Sequence, residues 1–141
     1  MRKSRRKARE FALKGLYEWK LSGNDVSDIA KHLRDEEGFD QIDDAYFKVL
    51  LDGAVREAAA LTELVETKLD RKLADLSPIE YAILLLGVFE ATHCPDVPYR
   101  VVINEAVELA KAYGGTDGHK YVNGVLDKLV PALRPHEVKG A

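Results

Sequence analysis

The sequence has a single cysteine, Cys94, so no disulfide can form within the chain, and this points to a reducing compartment. Long apolar runs are missing too. The most apolar stretch, residues 82–89, spans eight residues, far short of the roughly 20 needed to cross a bilayer. No apolar signal-peptide core follows the basic start, because Arg9-Glu10-Phe11 leads straight into an amphipathic pattern. Alternating apolar and polar runs, the mark of half-buried strands, do not occur. There is no internal repeat and no low-complexity linker. The expectation is a cytoplasmic, helical protein with no membrane contact.

Chemistry-bearing constellations are equally sparse. The four histidines, His32, His93, His119 and His136, are scattered, and none stands at a zinc-binding spacing from Cys94. The run from Gly114 to Gly118 is rich in glycine, but no strand precedes it and no P-loop lysine follows, so it reads as a turn between helices. Glu105 and Glu108 share a helix face, with Lys111 one further turn along, which describes an ordinary solvated face. No catalytic residue, no metal and no cofactor is expected.

What is present is charge asymmetry. Seven of the 21 basic residues fall in the first fourteen positions, where only Glu10 opposes them. That opening carries a formal +6, so the remaining 127 residues hold −9 of the net −3. Residues 22–70 are acidic, with thirteen acids against five bases, and are a poor place for a polyanion. Cations near a helix amino terminus oppose the macrodipole, so a run of them gains nothing for stability; a polyanion would reverse the sign. Arg2, Lys3, Arg5, Arg6 and Arg9 are therefore candidate phosphate contacts, arginine being suited to phosphate and to stacking on bases.

Helical periodicity fills the rest. Ala8, Phe11 or Ala12, Leu16 and Trp19 define the inner face of a first helix, ended by Gly23-Asn24. Asn24 or Asp25 can cap a second, with Val26, Ile29, Ala30 and Leu33 inward, and residues 36–41 form a polar link. A long helix from Asp43 carries the stripe Phe47, Leu51, Ala54, Ala58, Leu61 and Val65. Ser77-Pro78-Ile79-Glu80 is a capping box opening a central helix, with Glu80 placed to bond back to the amide of Ser77. The next helix turns its inner face through Val102, Ala106 and Leu109, and Gly114-Gly115 ends it in the left-handed conformation. Thr116 or Asp117 caps a last helix, closed by Pro131. The whole chain, 1–141, reads as one compact all-α domain of about six or seven helices with a basic arm at 1–9.

Tyr121, beside Lys120, is either a boundary aromatic finishing the core or a stacking platform for an unpaired base, with Lys120 on phosphate. Asn104 lies in an apolar run and reads as a satisfied core amide, and Gly124 as a point of close helix packing.

Several stretches resemble one family. They are Arg5-Arg6-Lys7-Ala8-Arg9-Glu10, the segment from Ile79-Glu80 to Glu90, Asp96-Val97-Pro98-Tyr99 with Val102-Ile103-Asn104-Glu105-Ala106, and His119-Lys120-Tyr121-Val122-Asn123-Gly124-Val125-Leu126-Asp127-Lys128. Together they resemble the NusB family of bacterial transcription antitermination factors, from about residue 4 to 130. The resemblance implies an all-helical, non-catalytic protein that binds the boxA element of ribosomal RNA leader transcripts. It implies action with NusE, a small-subunit ribosomal protein, and alongside NusA, NusG and RNA polymerase. On matching positions, Arg5, Arg6 and Arg9 would hold RNA, Tyr121 would stack, and Asp117 would bear on RNA behaviour. Tyr17 and Glu80 would face NusE. Tyr81 and Leu85 depart from the family's pattern, standing where basic residues are expected, and Tyr121 stands where phenylalanine is common. Two other readings remain: an accessory domain like the amino-terminal part of ribosomal RNA cytosine methyltransferases, which would need a Rossmann-like domain after residue 141, or a helical adaptor without RNA. Monomer and homodimer are both open.

Overall fold

A computed structural model describes residues 3–139, so Arg2 lies outside the described residues. Among these, seven α-helices of eight or more residues are followed by a short eighth, and no named strand occurs. None of the helices is long and apolar enough to cross a membrane. The chain divides into two compact units, residues 1–57 and 58–141.

The first unit holds α1 (Arg5–Ser22), α2 (Val26–Leu33) and α3 (Asp44–Arg56), with α1 packed on both others. Ser4 caps α1 by accepting from the amide of Lys7, and Gly23, at φ 71°, ends it by donating to the Trp19 carbonyl. Asp25 caps α2. Phe39, in what reads as a polar link, is buried instead. Its ring meets Phe11 and Phe47 edge to face at 5.2 and 5.0 Å, and these contacts close the unit's core. Gly15 is required for packing, since a Cβ there would sit 2.9 Å from Leu51 Cδ2.

The expected long helix from Asp43 is interrupted at Glu57. Its apolar stripe serves two units: Phe47, Leu51 and Ala54 are buried in the first, while Leu61 and Val65 of α4 (Ala58–Glu66) are buried in the second.

The second unit is built on α5 (Pro78–His93), which packs against α4, α6 (Tyr99–Tyr113) and α7 (Gly118–Leu133). Every residue from Tyr81 to Ala91 is buried. Ser77 accepts from the amide of Glu80 at 3.2 Å, as the capping box requires, but the Glu80 carboxylate accepts from the Ser77 hydroxyl at 2.9 Å. The two family departures lie inside: Leu85 is fully buried, and the Tyr81 hydroxyl bonds Thr62 at 2.7 Å. Gly87 lets α5 approach Leu126 and Ala106 closely.

Helix α7 runs through Pro131 to Leu133, then α8 (Pro135–Lys139) follows. Between them Arg134 is buried. It donates to the carbonyls of Ala91 (2.7 Å), Val97 (2.9 Å) and Cys94 (3.0 Å) and to Glu137 (2.6 Å). Glu137 in turn accepts the amide of Tyr99 at 2.7 Å, at the start of α6. One ion pair thus finishes the end of α5 and the beginning of α6.

Candidate nucleic-acid interface

The first described residues, Lys3 and Ser4, are tied down. Ser4 donates its amide to the Gln41 carbonyl and accepts from the amide of Asp43, both at 3.1 Å, while Lys3 donates to the Asp40 carbonyl. Helix α1 begins at Arg5, so the basic cluster is mostly helical. Arg5 lies 3.9 Å from Asp43 and its guanidinium sits 4.2 Å over the Tyr46 ring. Lys3 and Arg5 border a cavity of about 980 Å³ whose wall also holds Asp40, Asp43 and Asp44. Arg6 and Lys7 are exposed, but Arg9 is buried at 5% exposure, with its guanidinium 5.5 Å from the Tyr46 ring centre. Arg9 therefore packs inside the unit, because the helical 3.6-residue period turns it toward α3 while Arg6 points outward. On the same helix Tyr17 is 36% exposed and Leu21, one turn on, 57%.

The second cluster surrounds the amino terminus of α7. Asp117 is the only non-glycine residue with positive φ among those described, at 63°, and its side chain makes no cap bond. The left-handed position was expected at Gly114-Gly115; Gly114 has φ −82° and is instead needed because a Cβ would meet the Ala110 carbonyl oxygen at 2.6 Å. The Asp117 carboxylate is well exposed and pairs with Lys120 at 3.3 Å. Replacing Asp117 by glycine should release the left-handed strain, about 1 kcal/mol, and raise the melting temperature by roughly 3 °C. A lower melting temperature in a circular-dichroism melt would show that the conformation is not strained.

Tyr121 is half-buried, and its hydroxyl has no hydrogen-bond partner among the described residues. Burial raises its pKa, and the Arg71 charge pulls the other way. The guanidinium of Arg71 lies 3.8 Å over the Tyr121 ring and is held at its edge by Asp70 at 3.1 Å. That bond keeps the Asp70 carboxyl below the usual carboxylate range. Glu80 approaches from α5: a Cβ on Gly118 would meet its Oε2 at 2.6 Å, so a side chain there would push the carboxylate aside. Glu80 thus lies against the first turn of α7, where a negative charge suits the helix dipole.

Arg71 is not singled out by the sequence. Gly124 was expected in close packing, yet it is exposed with no atom within 4 Å of the place a Cβ would take. Asn104 is exposed as well, and borders a groove of about 470 Å³ with Asn123 and Asp127. Both misread positions lie on outward faces of α6 and α7, which the neighbouring apolar residues concealed. For Arg71 the available signal was its place in a connection between helices, between Asp70 and Lys72. Glu108 and Lys111 form the expected solvated pair at 3.5 Å, whereas Glu105 is buried.

Residues 6–131 match the profile of the NusB family. Among curated relatives, the transcription antitermination protein NusB of Ralstonia nicotianae is 57% identical over 135 residues, covering 96% of this chain and 87% of that one. The Thiobacillus denitrificans protein of the same name is 54% identical, covering 98% and 95%. Among solved structures, T. maritima NusB superposes with a TM-score of 0.87 at 26% identity over the full length of both chains. A chain from a complex of antitermination factors NusB and NusE with dsRNA gives a TM-score of 0.81 at 32% identity, covering 91% and 96%.

Proposed function

The chain belongs to the NusB family, and from that membership we propose that it is a non-catalytic transcription antitermination factor acting on RNA together with NusE. Its RNA is the boxA element of ribosomal RNA leader transcripts, and its work is cytoplasmic, helping RNA polymerase read through terminators alongside NusA and NusG. The observation that carries this reading is the cluster at the start of α7, where Tyr121 is stacked with Arg71 and neighboured by Lys120 and the strained Asp117. An aromatic ring with cations at its face and flank is the chemistry that holds an unpaired base and its phosphate.

Lys3, Arg5 and Arg6, with Arg2, supply positive charge to the RNA backbone. Arg9, being buried, contributes by holding Tyr46 beneath Arg5. Tyr17, exposed on α1 with Leu21 one turn away, is assigned to NusE, as is Glu80.

Titration of labelled single-stranded boxA RNA, with and without NusE, tests the proposal. Binding should tighten when NusE is present and weaken with salt. The log–log slope should be about −2 to −3.5 for about three to five phosphate contacts. Deleting residues 1–9 would remove the cap and the buried Ala8, so the charge is better tested by Lys3→Gln with Arg6→Gln. That double variant should lower the slope by about 1.4. No binding by the parent chain, with or without NusE, would sink the RNA reading.

A further inference from the structure

One face of α7 carries Lys120, Gly124 and Lys128 at four-residue steps, about 6 Å of rise each. Beside this stripe is a recess of about 230 Å³, lined by Lys68, Asp70, Lys120, Tyr121, Gly124 and Lys128, with Val125 behind. Three lysines converge there against one carboxylate, and Asp70 is already engaged by Arg71 at 3.1 Å. Neither Lys68 nor Lys128 has an ion-pair partner among the described residues. The contrast with the start of the chain is clear, since Lys3 and Arg5 share their cavity with Asp40, Asp43 and Asp44. Lys120 is answered by Asp117 at 3.3 Å, while Lys68 and Lys128 are not, and two unanswered ammonium groups in a concave site are the electrostatic signature of an anion seat.

Gly124 is the second, independent observation. Glycine is a poor helix former, and here, unlike at Gly87 and Gly118, no atom lies within 4 Å of the place a Cβ would take. Its missing side chain leaves the helix backbone bare between two lysines, beside the ring of Tyr121. Such bareness is useful when another chain must lie close against the helix.

We propose that this recess seats a backbone phosphate of the RNA strand, held by Lys68, Lys120 and Lys128, with Gly124 as the floor that lets the strand lie against α7. The assignment rests on the RNA-binding reading above and adds Lys68, Gly124 and Lys128 to the interface. It also implies that a lysine from the acidic stretch between residues 22 and 70 takes part.

The test uses the full chain and labelled single-stranded boxA RNA. Gly124→Leu fills the recess without removing a charge; it should weaken RNA binding about tenfold while raising the melting temperature by roughly 3 °C. Opposite signs for affinity and stability are what a purely structural glycine could not produce. Lys68→Gln and Lys128→Gln should each reduce the salt slope by about 0.7. Parent-like affinity and slope in all three variants, with the parent still binding RNA, would overturn the recess and leave the wider reading standing. Absence of RNA binding by the parent would overturn both.

Discussion

Replacing Arg134 by methionine is expected to lower the stability of the protein by about 3–5 kcal/mol, the usual cost of breaking a buried, hydrogen-bonded charge. The physical reason lies at the end of α5. The carbonyl of Ala91 would accept from residue 95 if the helix continued, but residue 95 is proline and has no N–H to give. Arg134 Nε supplies that bond at 2.7 Å, and its two terminal nitrogens satisfy Val97 and Cys94. Methionine retains the stem's packing but leaves these acceptors buried without the donor. Thermal melts followed by circular dichroism read the loss, and a variant within about 1 kcal/mol of the parent would contradict this account.

The same pair predicts a pH dependence. Glu137 has a lowered pKa, chiefly because its carboxylate accepts the Tyr99 amide and then because it accepts from Arg134, against the opposing effect of burial. A folded pKa below the unfolded one means that the contribution is complete above the ordinary glutamate range. It is lost as pH falls through the folded value. Glu137→Gln should therefore melt below the parent at neutral pH, and the gap should close in acid.

Tyr121→Ala is expected to weaken boxA RNA binding by about 1–3 kcal/mol, roughly five- to 150-fold, as for loss of one aromatic–base stack. The structure makes Tyr121→Phe the informative partner. Its hydroxyl is buried without a made hydrogen bond, with Asp70 the polar group beside it, so phenylalanine should keep RNA affinity and stay within about 1 kcal/mol of the parent's stability. Arg71 separates two ways of reading a loss in the alanine variant, because its guanidinium rests on the same ring at 3.8 Å. Arg71→Ala leaves the ring in place; if it binds RNA like the parent, the ring itself carries the stacking. An unchanged affinity in Tyr121→Ala would return the residue to a boundary role in the core.

Elements whose information is local were legible from sequence. The stripe of α1 from Ala8 to Leu16, the glycine that ends the helix, the caps of α2 and α5, and the apolar run of the central helix each depend on residues within a turn or two, whereas Trp19, expected on the inner face, is only half-buried. Helical period and capping chemistry act over that same range. The interruption at Glu57 was not legible, because the apolar stripe continues across it and only the separate packing of α3 and α4 divides it. Phe39 is a similar case: its surroundings are polar in sequence, and two aromatic rings from α1 and α3 decide its burial.

At the candidate interface the sequence by itself determined the family, the helical class, the basic opening and the aromatic at position 121. Tertiary structure decided which of those charges point outward. Arg9 turns in and Arg6 out, although both belong to one basic run. It decided that Arg71 covers the ring of Tyr121, that Gly124 faces open space, and that Lys68 joins Lys120 and Lys128. Charge and residue type are properties of the chain. Their direction and company depend on contacts between residues far apart in sequence, which exist only once the helices have packed.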